Sequence, residues 1–250
     1  MAGARVPGSI HHTGAHMTYV LIPGAGGDGS YWQLVAAELR VRGHDAFAID
    51  LPADDDDADI PDYADVVVDA IGDRRDVILV AQSMGGLSVP LVCERVRVRM
   101  MVLVNAMISA QGERPGDWWA NTGHAEARRE KDVRDGRDPD AEFDLETVFH
   151  HDVPRELAEQ AMQSARPQSN MPFNSTWSSP PWPDVPTRVL VGRDDRFFPA
   201  EFQRRVAQER LGITADEMPG GHILALSQPM ELVDRLEAYT AQLDRGTVTR

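Results

Sequence analysis

Ser83 stands at the centre of a short pattern that could support nucleophilic catalysis. In the segment Ala81-Gln82-Ser83-Met84-Gly85, small residues lie two positions before and two positions after the serine. Small residues there let neighbouring backbones pass a serine held on a tight turn between a strand and a helix. Alanine stands where the strict pattern has glycine. The pattern also fits a serine that only caps a helix, so by itself it leaves the chemistry open.

The elements around Ser83 predict an α/β protein with a doubly wound, mostly parallel sheet. Short apolar runs predict strands at 18–22, 45–50, 77–81, 99–105, 187–191 and 214–218. Segments with helical periodicity or helix signals lie between or after them, at 31–42, 62–72, 84–96, 199–210 and 228–243. Strands that alternate with helices favour a parallel sheet covered on both faces. Pro90, inside the third of these helices, is expected to bend or weaken it.

The chain divides into three predicted regions. Residues 1–16 show no periodicity and are predicted to be a disordered extension, without the apolar core of a signal peptide. Residues 17–106 and 184–245 form the predicted α/β core. Between them, 107–183 lacks a clear strand pattern and is too long for a plain connection, which predicts a helical lid or cap.

Composition excludes several classes of partner. The formal net charge of -15 argues against binding to a nucleic-acid backbone or an anionic membrane. No apolar run is long enough to span a bilayer, and the single cysteine, Cys93, cannot form an internal disulfide. We therefore expect a cytoplasmic protein that acts on a small molecule. The acidic run 54–57 is expected to be a solvated loop.

A glycine-rich loop follows the first predicted strand. Gly24, Gly26 and Gly29 fit the register of a dinucleotide-binding turn, but a supporting fingerprint beyond Asp50 is missing. The alternative is a loop whose backbone N–H groups stabilise an oxyanion beside Ser83.

Three chemistry-bearing loops follow predicted strands. They carry Ser83, then Asp194-Asp195, then His222. Because the carboxyl ends of parallel strands meet at one edge of a sheet, these side chains are expected to lie together there. A serine, an acid and a histidine in this chain order fit a nucleophile, an orienting carboxylate and a general base.

These residues resemble those of the α/β-hydrolase fold, over residues 18–244. The resemblance rests on Ile22-Pro23-Gly24-Ala25-Gly26, on the stretch from Gly43-His44 to Asp50-Leu51, on Gln82-Ser83-Met84-Gly85-Gly86, on 192–199, and on Gly221-His222. Within the fold, the chain is similar to the methylesterase and hydroxynitrile lyase branch. This resemblance implies a serine hydrolase of small carboxylic esters with no metal or organic cofactor.

The resemblance also implies roles for individual residues. The family pattern G-x-x-D-x-x-x-P, counted from Gly192 to Pro199, selects Asp195 rather than Asp194 as the acid beside Ser83 and His222. The N–H groups of Ala25 and Met84 are the implied oxyanion donors. Aromatic and apolar residues predicted to shape a substrate pocket are Met107, Trp118, Trp119 and Phe149.

Two alternatives stay open at this stage. A hydroxynitrile-lyase type of enzyme would use His222 as base without an acyl-enzyme, but that branch generally needs a lysine in the lid, where only Lys131 occurs. A ligand-binding protein without catalysis could use the same fold. The acyl and alcohol specificity, the oligomeric state (a homodimer included) and substrate contact by His150 or His151 are likewise open.

Overall fold

The structure, a computed structural model, describes residues 16–246 and contains one six-stranded sheet. The strands are β1 Thr18–Ile22, β2 Asp45–Ala48, β3 Val77–Gln82, β4 Val98–Val104, β5 Thr187–Gly192 and β6 Asp216–Met218. All neighbouring strands are parallel, in the order β2-β1-β3-β4-β5-β6. The predicted parallel α/β sheet is confirmed, whereas the predicted extension lies outside the described residues except for its last residue.

Both faces of the sheet are buried by helices. The α-helices are α1 Gln33–Val41, α2 Ile60–Ile71, α3 Val89–Arg95, α4 Trp118–Thr122, α5 His124–Arg134, α6 Arg155–Ser164, α7 Met171–Asn174, α8 Ala200–Leu211, α9 Leu224–Ser227 and α10 Pro229–Asp244. Successive strand residues point to opposite faces, so Val20 and Leu79 pack in one apolar cluster and Leu21 and Val80 in another. Helices α2, α3 and α8 contribute to the first cluster, and α1, α9 and α10 to the second.

The segment after β3 differs from the prediction. Instead of one helix over 84–96, the chain forms a 3-10 helix, Ser83–Leu87, and then α3. Pro90 lies in the first turn of α3, where a backbone N–H has no partner within the helix. It therefore starts a helix rather than bending one.

The stretch between β4 and β5, here called the insertion (107–183), contains no strand within the described residues. It consists of a short 3-10 helix at Pro115–Asp117, α4 to α7, a π-helical turn at Glu146–His150 and connecting loops. The insertion rests partly on the acidic run after β2. The Asp54 carboxylate accepts a hydrogen bond from Arg166, and this bond lowers the pKa of Asp54. Asp56 accepts a hydrogen bond from Ser169. The four side chains of the run are exposed, as expected for a solvated loop, and the run also anchors the insertion.

No helix of the described residues is long and apolar enough to cross a bilayer.

Candidate active site

Ser83 occupies a sharp turn between β3 and the 3-10 helix. Its φ is +50°, a left-handed conformation that costs a non-glycine residue about 1–2 kcal/mol. The turn brings Gly85 against β1, because a Cβ on Gly85 would lie 2.4 Å from the Pro23 carbonyl oxygen. A side chain two positions after the serine would therefore displace the neighbouring backbone, as the spacing in the sequence predicts.

Ser83, His222 and Asp195 form a continuous hydrogen-bonded relay. His222 Nε2 lies 3.0 Å from Ser83 Oγ, and His222 Nδ1 lies 2.8 Å from Asp195 Oδ2. Because the carboxylate only accepts, Nδ1 carries the proton and Nε2 is free to accept from the hydroxyl. The other oxygen, Asp195 Oδ1, accepts the backbone N–H groups of Phe197 and Phe198, each at 2.8 Å. All three side chains of the relay are buried.

The two adjacent acids, Asp194 and Asp195, occupy different environments. Asp195 is fully buried against His222, whereas the Asp194 side chain is about half exposed and pairs with Arg193. Asp194 Oδ2 also accepts the Gly220 N–H at 3.1 Å, and that bond contributes to a lowered Asp194 pKa. The structure therefore brings Asp195, and not Asp194, to the histidine.

The glycine-rich loop packs directly on the nucleophile. A Cβ on Gly24 would lie 2.8 Å from Ser83 Cβ and 2.4 Å from Gln82 Oε1, so the loop passes close above the serine. Ala25 follows that contact and is exposed. Met84 lies in the first turn of the 3-10 helix, where its N–H has no partner within the helix. The predicted oxyanion donors thus flank the serine, and their role stays a prediction.

Asp50 is engaged by the same loop. Its Oδ1 accepts the Gly29 N–H at 2.8 Å, and a Cβ on Gly29 would lie 3.0 Å from the Ile49 carbonyl oxygen. In the dinucleotide interpretation this carboxylate would bind a ribose hydroxyl instead. The contact favours a loop closed on β2 over a cofactor-binding turn.

A cavity of about 400 Å³ opens beside the glycine-rich loop. Gly24, Ala25 and Gln82 line its end nearest Ser83, and Ile223 lines it beside His222. The insertion supplies the opposite wall, including His150, Leu157, Gln160, Ala161, Ser164, Ala165 and Arg166. Apolar surface exceeds polar surface in its walls, which suits a small organic ligand with a few polar groups.

None of the four residues predicted to form the substrate pocket lines this cavity. Trp118 is a core residue, 1% exposed, and its indole N–H donates to the Ile108 carbonyl. Met107 is equally buried and its N–H donates to the Ser83 carbonyl at 2.8 Å. Trp119 packs edge-on against Trp118. These three residues support the turn at Ser83 and the insertion from within, because tertiary packing buries large side chains that the sequence analysis placed at a pocket.

Phe149 lies beside the histidine instead. Its ring centroid is 5.2 Å from that of His222, and Phe197 and Phe198 lie at 5.2 and 5.0 Å. These three rings enclose the imidazole in apolar surface. Phe197 and Phe198 have no role among the sequence predictions, although their position two and three residues after Asp195 was a signal.

The insertion also contacts the backbone beside His222. Asp152 Oδ2 accepts the Gly221 N–H at 2.6 Å. Within the described residues, three buried atoms nearby have no hydrogen-bond partner: His150 Nδ1, His151 Nε2 and Asp152 Oδ1. Burial, reinforced by the positive charge of Arg196, lowers the pKa of His151, and burial also lowers that of His150. Of this histidine pair, His150 is the one that lines the cavity.

Metal-ligating side chains do not converge in the part of the chain that the structure describes. Residues 16–246 contain no group of three or more His, Cys, Asp or Glu side chains placed to hold a metal ion. Lys131, the residue on which a lyase interpretation would depend, lies on α5 and forms an ion pair with Asp135 just after that helix. The polar groups that do converge are those of the relay.

A protein family and a curated protein sequence match this chain over most of its length. The model of the alpha/beta hydrolase family matches residues 19–235. A curated relative, the probable esterase PIR7A of Oryza sativa subsp. indica, is 26% identical over 259 aligned residues, covering 90% of this chain and 97% of that protein.

Solved structures share the fold at low identity. An extracellular alpha/beta-hydrolase from a Paenibacillus species aligns with a TM-score of 0.71 at 20% identity, covering 89% of this chain and 98% of that one. A pyrethroid hydrolase from Sphingobium faniae JZ-2 gives 0.69 at 21%, covering 91% and 98%. Polyneuridine aldehyde esterase gives 0.70 at 20%, covering 89% and 98%.

Proposed function

We propose a function for this chain from one premise: it belongs to the alpha/beta hydrolase family. The function is hydrolysis of a small carboxylic ester by a Ser83–His222–Asp195 triad. One observation carries the proposal, namely the buried relay with 3.0 Å and 2.8 Å contacts on either side of the imidazole. The esterase relative and the hydrolases of similar fold support the same reaction class.

Acylation begins at the serine hydroxyl. Ser83 Oγ attacks the ester carbonyl carbon while His222 Nε2 accepts its proton, and Asp195 holds the imidazole by Nδ1 and stabilises its positive charge. The tetrahedral intermediate then collapses. The C–O bond to the alcohol breaks, and the imidazolium returns its proton to the leaving alkoxide. The product alcohol departs and an ester of Ser83 remains.

Deacylation repeats these steps with water. His222 removes a proton from water, and the hydroxide attacks the acyl carbon. The bond between that carbon and Ser83 Oγ breaks, Ser83 Oγ takes the proton from the imidazolium, and the carboxylic acid is released. The N–H groups of Ala25 and Met84 are proposed to hold the oxyanion in both halves, a contribution of about 3–4 kcal/mol for each donor. The triad supplies both the nucleophile and the acid–base group, so we propose no metal or organic cofactor.

The cavity sets the proposed substrate class. About 400 Å³ accommodates a small or medium-sized ester. Leu157, Ala161 and Ile223 offer apolar contacts, while Gln82 and His150 offer hydrogen bonds from the two opposite sides of the cavity. We propose a small ester with an apolar portion as the substrate. The cytoplasmic location stays a prediction.

An active-site-directed label tests this function. A fluorophosphonate reacts with a serine only when a base activates it, so the wild type should incorporate one label, on the tryptic peptide that contains Ser83. Turnover of p-nitrophenyl esters of graded acyl length should disappear in proportion to labelling. An unlabelled protein, or a labelled one with full esterase activity, would refute the proposal.

A further inference from the structure

Two buried amides, Asn105 and Gln203, lie behind the acid and the histidine. Neither lines the cavity, and only 0% and 4% of their surfaces are exposed. Resting on the proposed function, we propose that they form a positioning pair. The pair fixes Asp195 and the loop of His222 relative to each other and so sets kcat without touching the substrate.

Asn105 connects the two loops that carry the acid and the histidine. It follows β4 with a φ of +45°, a left-handed conformation that is uncommon outside glycine. Its Nδ2 donates to the carbonyl oxygens of Gly221 and His222 at 3.0 and 2.9 Å. Its Oδ1 accepts the Gly192 N–H at 2.7 Å. Since these partners can only accept or only donate, the amide has a single orientation, with both Nδ2 hydrogens in use.

Gln203 reaches the acid itself from α8. Its Nε2 lies 3.2 Å from Asp195 Oδ2, 2.6 Å from the Phe198 carbonyl oxygen and 3.3 Å from Asn105 Oδ1. Asp195 Oδ2 also accepts His222 Nδ1. One carboxylate oxygen therefore has the imidazole on one side and the Gln203 amide on the other.

The acid is saturated with donors only when Gln203 is present. Two backbone N–H groups fill Oδ1, so Gln203 supplies the remaining restraint on Oδ2 besides His222 itself. Close packing restrains the backbone in the same way. A Cβ on Gly192 would lie 2.4 Å from the Gly221 carbonyl oxygen, which brings the two loops into contact around Asn105. A carboxylate without the amide could rotate, and a small misplacement of the base reduces the rate.

The test compares Gln203→Met with Gln208→Met. Both replace a glutamine on α8 by a side chain of similar length, but Gln208 is exposed and lies outside the network. Gln203→Met should lower kcat roughly 10- to 100-fold with KM changed less than about twofold. The His222 Nδ1 proton resonance, measured with ¹⁵N-labelled histidine, should also move. Gln208→Met should match the wild type in all three measurements.

A folded Gln203→Met protein with wild-type kcat and an unmoved His222 resonance would overturn the proposal. If that variant does not fold, Asn105→Gly provides the second reading, because glycine adopts the positive φ freely while the amide is removed. It should show the same loss of kcat, and wild-type kcat there would equally overturn the proposal. The resonance reports positioning even if the wild type resists fluorophosphonate labelling, so failure of the proposed esterase function is distinguishable.

Discussion

Two sets of contacts meet at His222, and they differ in how well their polar atoms are satisfied. On the sheet side, both oxygens of Asp195 have two donors each, and the Asn105 amide has partners on both of its polar atoms. On the insertion side, Asp152 makes one hydrogen bond to Gly221, while three buried polar atoms of 150–152 have no partner within the described residues.

The difference separates a fixed framework from a weaker contact. A buried polar group without a hydrogen-bond partner costs about 1–3 kcal/mol. The contact between the insertion and the His222 loop is therefore less stable than the hydrogen bonds that hold the triad. We therefore expect substitutions in the framework to act on kcat by orders of magnitude. Substitutions of His151 or Asp152, which do not line the cavity, should have small effects, because that contact can rearrange at low cost.

The largest effect is expected from removing the nucleophile. Ser83→Ala should lower kcat for p-nitrophenyl esters by on the order of 10⁴ to 10⁶ while the thermal unfolding temperature stays close to that of the wild type. The matched control is Ser88→Ala, a buried serine of the same segment whose hydroxyl donates to the Gly85 carbonyl. Activity of Ser83→Ala above a tenth of wild type would remove the serine from the mechanism.

The next largest effect is expected from replacing Asp195, and the adjacent Asp194 provides the control. Asp195→Asn should lower kcat by about 10⁴, because the amide favours the wrong imidazole tautomer. Asp194→Asn should cost only several-fold, through its hydrogen bond to the Gly220 N–H. Both are measured at one pH with one ester. An inactive Asp194→Asn protein together with an active Asp195→Asn protein would show that Asp194 is the acid. Two active variants would show that the acid is another residue.

On the insertion side, Asp152→Ala should reduce kcat/KM only about threefold to tenfold. It removes the acceptor of the Gly221 N–H, a neutral donor whose hydrogen bond to a carboxylate contributes about 1–3 kcal/mol at most. Glu159→Ala on the exposed face of α6 is the control and should be silent. A loss as large as that of Asp195→Asn would show that the insertion belongs to the rigid framework after all.

The smallest expected effect is a pH dependence of the contact between residues 150–152 of the insertion and the His222 loop. The folded-state pKa of His151 lies below the ordinary value of 6.5, so the unfolded or unseated state binds the proton more readily. The stability of this contact is therefore fully present above about pH 6.5 and is lost as pH falls from there through the lower folded-state pKa of His151. Hydrogen exchange of residues 145–155 should accelerate between pH 7.5 and 5.5, after correction for the intrinsic rate, whereas β3 and β5 should not change. His151→Gln should reduce the difference, since His150 in the same segment also has a lowered pKa, and an equal response in the wild type and this variant would contradict the assignment.

Local patterns in the sequence were sufficient for the architecture and for the loops that carry chemistry. Apolar runs and helical periodicity predict the strands and helices because burial on both sheet faces requires them. The small residues around Ser83 predict the sharp turn after β3, because larger residues there would clash with the backbone at the end of β1. The order of serine, acid and histidine then follows from parallel strands whose carboxyl ends share one edge.

Tertiary structure alone decided which side chains surround those loops. Trp118 and Met107 are core residues, and the cavity is lined by α6 and the glycine-rich loop, because the insertion folds back over residues that are distant in sequence. Asn105 meets the histidine loop across 116 and 117 positions of the chain. Such contacts have no local signature, since an asparagine after a strand reads as an ordinary turn residue until the backbone carbonyls that it binds are brought to it.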